Sequence, residues 1–305
     1  MTQPEARAPF GRLLTAMVTP FTPAGELDLD GAQRLATHLV DLQRNDGLVV
    51  SGTTGESPTT TDEEKDRLLR AVVEAVGDRA AVVAGVGTND TAHTVHLAQA
   101  AEKAGATGLL VVTPYYNRPP QAGLLAHFRT AADATGLPSM LYDIPGRTGT
   151  EIATDTLLRL AEHPRIVAVK DAKDSLPASA AVLARTDLAY YSGTDALNLP
   201  LLSVGATGFV SVVAHVVGAR LRDLLDAWSA GDPVRAREVN AGLLDVYQGL
   251  FRTQGVILTK AALRLAGLPG GPVRPPLVDA TEEQVETLRT DLAVAGVTFP
   301  ADTAA

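Results

Sequence analysis

The residue in this chain best suited to covalent chemistry is a lysine that closes an apolar run, Ile166-Val-Ala-Val-Lys170-Asp171. A lysine on the last turn of a buried parallel strand is poorly solvated. Desolvation disfavours the ammonium and yields the free amine that adds to a carbonyl. The plainer alternative is an ion pair with Asp171 or Asp174. Lys173 lies beyond the run and is read as facing solvent. One β/α unit earlier, Tyr142 ends another apolar run in Tyr-Asp-Ile-Pro-Gly-Arg-Thr-Gly. A phenol within a chain of hydroxyls can move protons to and from a carbinolamine and an imine; otherwise its ring simply packs at a rim. Thr53, in Gly52-Thr-Thr-Gly55, is a candidate next member of that chain. The backbone N–H groups of so tight a turn can also hold a carboxylate. Arg147, beyond Pro145-Gly146, can grip another carboxylate bidentately or close a salt bridge.

Other polar features carry less. His93 and His96 are three apart on a helix, but no carboxylate or third ligand accompanies them, and a metal site needs three or four. They are read as a solvated face, and no metal is expected. His215 follows the last apolar run and is read as a satisfied structural histidine. The segment Gly85-Val-Gly-Thr-Asn-Asp90 has neither dinucleotide nor phosphate-loop spacing, so no cofactor is expected. Lys260, within Gly-Val-Ile-Leu-Thr-Lys-Ala-Ala-Leu, is read as structural.

These residues need elements to position them. Short β-branched apolar runs recur at 13–18, 47–51, 81–86, 108–113, 139–143, 166–170, 188–192 and 208–213, each followed by a helical stretch. Continuous rather than alternating apolar character suits parallel strands covered on both faces. Thr61-Asp-Glu-Glu64 is a capping box, and Gly77 and Gly105 fall where left-handed C-caps belong. Such alternation is the pattern of a (β/α)8 TIM barrel spanning 11–225. A doubly wound sheet uses the same units but normally has a Gly-rich turn after its first strand, where this chain has Thr-Pro-Phe-Thr-Pro-Ala-Gly-Glu. In a barrel, the reactive residues gather at the C-terminal strand ends. Beyond the barrel, a C-terminal helical extension over 226–305 contains helices near 233–249, 254–267 and 281–295, after one at 219–230. Residues 1–10 are read as a loose tail.

Bulk properties narrow the class. With 305 residues, 46% apolar and 20% charged, the chain can bury a substantial core. A net charge of −9 argues against nonspecific binding to nucleic acid or anionic membrane, so neither is expected as a partner. The chain has no cysteine, which excludes disulfides, thiolate metal sites and cysteine nucleophiles. No apolar run reaches the roughly 18 residues of a membrane helix, and the start lacks a signal-peptide core. A cytoplasmic location is the expectation.

Gly52-Thr-Thr-Gly-Glu-Ser57, Thr113-Pro-Tyr-Tyr-Asn-Arg-Pro119, Tyr142-Asp-Ile-Pro-Gly-Arg-Thr-Gly149 and Val169-Lys-Asp-Ala-Lys-Asp174 occur in order at successive strand ends. Together they resemble the dihydrodipicolinate synthase family of pyruvate-dependent Schiff-base aldolases, from about residue 11 to the C-terminus. The resemblance implies a lyase that condenses pyruvate with L-aspartate 4-semialdehyde in diaminopimelate and lysine biosynthesis, as a homotetramer of tight dimers. It implies that Lys170 forms the imine and that Tyr142, Thr53 and the neighbouring subunit's Tyr116 relay protons. Thr53 and Thr54 would bind the pyruvate carboxylate and Arg147 that of the semialdehyde. Gly193 and Val210 would line the pyruvate pocket. At the positions that form the lysine-effector pocket in feedback-inhibited relatives, this chain has Asp62, Lys65 and His93, which implies weak or absent inhibition. Asp143 stands where asparagine is commoner. Sister aldolases acting on N-acetylneuraminate or keto-deoxy sugar acids are the nearest rivals; Thr53-Thr54 and Arg147 favour the synthase. A silent keto-acid-binding barrel would tend to lose the lysine, tyrosine or threonines, and a metal-dependent aldolase would need a ligand cluster.

Overall fold

The computed structural model describes residues 8–299. Eight strands, β1 (Leu13–Ala16), β2 (Gly47–Val50), β3 (Ala81–Gly85), β4 (Gly108–Val112), β5 (Ser139–Asp143), β6 (Ile166–Asp171), β7 (Ala189–Ser192) and β8 (Gly208–Ser211), close a barrel in chain order. The six pairings resolved residue by residue are all parallel. The TIM-barrel reading of the sequence therefore holds. Every residue of β1, β2, β5, β7 and β8 is buried, so the apolar runs do not alternate. The observed strands are mostly a residue or two shorter than the apolar runs, because the final residues leave the ladder to begin the loops. β6 instead continues one residue further, to Asp171, which pairs with Asp143.

By their contacts the described residues form two compact units. One comprises Ala81–Val210 with the described residues that precede Leu13. The other comprises Leu13–Ala80 with the described residues that follow Val210. In the first, Phe10 is buried, whereas the sequence reading leaves it in a loose tail; residues 1–7 lie outside the described residues. Phe10 fits because Gly108 has no side chain: a Cβ there would lie 2.3 Å from the ring.

In the second unit, Thr61 and Glu64 form the expected capping box at the start of helix Asp62–Val76. Gly77 ends this helix in a right-handed conformation, unlike the left-handed cap expected of it, while Gly105 in the first unit is left-handed at φ +92°. A Cβ on Gly77 would sit 2.6 Å from the Val73 carbonyl oxygen, so close approach rather than φ calls for glycine. The helices after β8 are Ala214–Ser229, Pro233–Ala241, Leu244–Leu250, Gly255–Leu265 and Glu282–Val294. The single helix expected over 233–249 is two, divided where Gly242 caps the first and Leu243 caps the second. No helix among the described residues is long and apolar enough to cross a membrane.

Candidate functional site

In the first unit, strand register brings Lys170 and Tyr142 side by side. Ser139 pairs with Ile166, but Met140 pairs with Ala168, so β6 has one extra residue, Val167, at its start. Neighbouring parallel strands turn paired residues to the same face, and a one-residue slip reverses it. Without the extra residue, Tyr142 would oppose Val169. With it, Tyr142 opposes Lys170, and the Lys170 amine lies 4.2 Å from the Tyr142 ring centroid. Asp143 and Asp171, one step further along each strand, form the next pair and turn to the other face.

Lys170 is buried, and burial pulls its pKa down to about 8, with the Asp195 carboxylate opposing the shift and the Arg147 guanidinium adding to it. Among the described residues it closes no ion pair, which disposes of the Asp171 or Asp174 alternative. Asp171 receives the Lys173 backbone N–H at 2.8 Å and the Ser179 hydroxyl, while Asp174 accepts from Thr194 at 2.7 Å. Lys173 is not the solvent-facing residue expected. Its Nζ lies 3.3 Å from Asp143 Oδ2 and donates to the Ile152 carbonyl at 3.0 Å, with little of either charged side chain exposed. The chain turns back after β6, so a residue just past the strand end folds under the rim. Burial raises Asp143 to about 6 even against the pull of Lys173.

The other predicted residues of this unit take distinct places. Gly193 lies against the lysine: a Cβ there would come within 3.0 Å of both Cγ and Cε of Lys170. Val210 is buried in β8. Arg147 is exposed on the short helix Pro145–Thr148, and its charge reaches Lys170. Tyr116 does not join this group; it is 91% exposed and held at φ +72°. A non-glycine residue in that region costs on the order of 1–3 kcal/mol and clusters at functional sites. Asp195 was missed by the sequence reading. It is buried after β7 and supplies the only negative charge acting on Lys170 among the described causes of its shift. The one available signal was its position in Ser192-Gly-Thr-Asp195 at a strand end.

In the second unit, the turn after β2 carries Thr53, half-buried, and Thr54, buried. Ser51 and Glu56, on its two shoulders, are both left-handed without being glycine. The N–H groups of Gly55, Glu56 and Ser57 bond back to Gly52 and Thr53 carbonyls, whereas those of Thr53 and Thr54 have no backbone acceptor among the described residues. Such open donors suit a carboxylate. Burial also lowers Lys260 to about 8, so a depressed amine alone does not mark a nucleophile. Lys260 is occupied: Glu56 Oε1 lies 2.6 Å away and the Pro272 carbonyl accepts at 2.7 Å. His215 is a structural residue, as read: Nε2 accepts from Val18 N–H at 3.1 Å, which leaves Nδ1 to donate to the Val212 carbonyl at 2.8 Å. In the first unit, His93 and His96 stack at 6.4 Å, and no group of three or more metal-ligating residues occurs among the described residues.

The fold and site together define a (β/α)8-barrel protein with a desolvated lysine in register with a tyrosine near the strand ends. The family model for the dihydrodipicolinate synthetase family matches residues 9–295, and the chain belongs to that family. It is 71% identical over 298 residues to a 4-hydroxy-tetrahydrodipicolinate synthase of Acidothermus cellulolyticus, covering 98% of this chain and 96% of the relative. With 4-hydroxy-tetrahydrodipicolinate synthase 2 of Streptomyces coelicolor it shares 65% identity over 95% of this chain and 97% of that one. A crystal structure of the Cyanidioschyzon merolae enzyme with lysine bound superposes with a TM-score of 0.93 at 43% identity, covering 96% of this chain and all of that one.

The lysine pKa gives a pH dependence with a definite sign. Only the neutral amine attacks, so with pyruvate as carbonyl probe and borohydride as trap, the initial rate of adduct formation should rise with pH and level off above about 8. Intact-mass measurement follows the adduct. A rise continuing to the ordinary lysine range would show that Lys170 is not desolvated.

Proposed function

We propose that this chain is a lyase that condenses pyruvate with L-aspartate 4-semialdehyde to 4-hydroxy-tetrahydrodipicolinate, through a Schiff base on Lys170. The observation that carries this reading is the buried, unpaired Lys170 amine in strand register with Tyr142. Lys170 Nζ adds to C2 of pyruvate, and loss of water leaves the iminium. The iminium acidifies the methyl group, whose proton departs to give the enamine. The enamine carbon attacks the aldehyde, and the semialdehyde's own amine then adds at C2. Ring closure expels Lys170 as the free amine. One water is released overall, and no redox partner or metal is needed.

Tyr142 moves protons at the carbinolamine and imine, with Thr53 as the next hydroxyl. Thr53 and Thr54 hold the pyruvate carboxylate on their open N–H groups and hydroxyls. Arg147, exposed and free of any ion pair among the described residues, receives the semialdehyde's carboxylate; this favours the synthase over sugar-acid aldolases. Gly193 leaves room for the lysine, and Val210 contributes apolar lining. The exposed, strained Tyr116 serves the site of a second copy, within a homotetramer of tight dimers. We place the enzyme in the cytoplasm, in the lysine branch of amino-acid biosynthesis.

Turnover with both substrates, followed through a coupled reductase, tests the reading. Lys170→Ala should abolish it, and Tyr142→Phe should lower kcat by about 100-fold or more, the usual contribution of a positioned proton shuttle. Tyr116→Phe should lower kcat far more than it raises the pyruvate KM. An unchanged rate would remove Tyr116 from the mechanism. No turnover with the semialdehyde, but a pyruvate adduct on Lys170, would redirect the search to sugar aldehydes.

We further propose that millimolar lysine leaves the rate nearly unchanged. Lys65, half-buried beside Thr60 and bonded to its carbonyl, would set a positive charge against a cationic effector. Strong inhibition would contradict this.

A further inference from the structure

The turn that carries Thr53 and Thr54 ends in a glutamate whose side chain the chemistry above does not use. Glu56 is almost fully buried, and its carboxylate turns toward the C-terminal extension. Oε1 lies 2.6 Å from Lys260 Nζ, in helix Gly255–Leu265, and Oε2 accepts the Arg274 backbone N–H at 2.8 Å. Lys260 is fully buried, donates to the Pro272 carbonyl at 2.7 Å and sits 4.3 Å over the Phe21 ring. The Arg274 guanidinium covers the same ring at 4.1 Å and donates to both oxygens of Glu64 at 2.6 and 2.8 Å. It also reaches the Gly25 and Thr59 carbonyls, each with a contact of 2.8 Å. All of these residues belong to the second unit.

This arrangement does two things for the turn. It holds Glu56 in a left-handed conformation that a non-glycine residue adopts only when its surroundings demand it. Gly55, beside Glu56, is held by close packing, since a Cβ there would come within 3.2 Å of the Met17 carbonyl and of Ser51 N, and Thr19 donates to the Gly55 carbonyl at 2.6 Å. It also neutralises a buried anion directly beside N–H groups that must attract an anion. An uncompensated Glu56 carboxylate would repel a carboxylate there.

We propose that Lys260 and Arg274 of the extension, acting through Glu56, are positioning residues that shape the Thr53–Thr54 turn for the carboxylate of the keto-acid substrate. This rests on the reading of that turn given under the proposed function. Lys260 touches no substrate; it sets the turn that does. The extension thereby becomes part of the substrate-binding machinery rather than a passive appendage.

The test measures the pyruvate concentration that half-saturates borohydride trapping on Lys170, together with steady-state KM and kcat. Lys260→Met leaves Glu56 unpaired; because removing one partner of a buried pair can prevent folding, Glu56→Gln/Lys260→Met, without either charge, is made alongside. In both variants the half-saturating pyruvate should rise roughly tenfold or more, the scale of a small misplacement of a binding group. The trapping rate at saturating pyruvate and the semialdehyde KM should stay within about threefold, a split that mere loss of folded protein would not produce. Thr54→Val is the control. If Thr54→Val raises half-saturation and the folded double variant does not, this proposal falls while the carboxylate turn stands. If Thr54→Val also leaves it unchanged, this proposal falls and the Thr54 hydroxyl is removed from carboxylate binding as well.

Discussion

Keeping a primary amine out of water and out of any direct ion pair is the constraint on which this structure turns. A shift of Lys170 from 10.5 to about 8 disfavours its ammonium by on the order of 3 kcal/mol. At neutral pH that raises the reactive fraction from below about one in a thousand to roughly one in ten. A direct ion pair would oppose that shift and occupy the amine, as Glu56 occupies Lys260. The neighbouring acids are accordingly committed elsewhere: Asp171 to Ser179 and the Lys173 N–H, Asp174 to Thr194, Asp143 to Lys173 and the Ile152 N–H. Asp195 remains as a buried counter-charge that limits the depression without closing a salt bridge on the lysine.

The parallel barrel meets this constraint through alternation. Residues of one parity fill the interior and residues of the other meet the surrounding helices. The Tyr142–Lys170 pair takes one parity and the Asp143–Asp171 pair the other, so reactive amine and acid network are separated by the strands themselves. The single extra residue at the start of β6 makes this partition possible, because without it the lysine would pair with Asp143 instead of Tyr142. In the second unit a different solution appears. Lys260, equally buried and equally depressed, is kept silent by direct contact with Glu56. The two lysines differ in partner geometry rather than in depression: Glu56 occupies Lys260, whereas no ion pair holds Lys170 among the described residues.

Much of the architecture was legible because its signals are local. Apolar runs mark the eight strands, and a capping box depends on residues three apart. Gly77 misled because a glycine can be required by close approach as well as by φ, and sequence does not distinguish them. The break at Gly242 was missed because helical periodicity continues across it. Lys170 and Tyr142 stood out because each ends an apolar strand. Lys173 did not, because its burial depends on the chain folding back toward Asp143 and Ile152. Asp195 and the Glu56–Lys260–Arg274 cluster were missed for a related reason: their partners meet only once the fold exists, and Glu56 lies some 200 residues from Lys260 and Arg274.

The most direct test of the central claim is a crystal structure of the protein with pyruvate at about pH 8. The account predicts continuous density from Lys170 Nζ to C2 of the keto acid, with the carboxylate on the N–H groups of Thr53 and Thr54. Pyruvate bound without a covalent link, or joined to Lys173 or Lys260 instead, would contradict it.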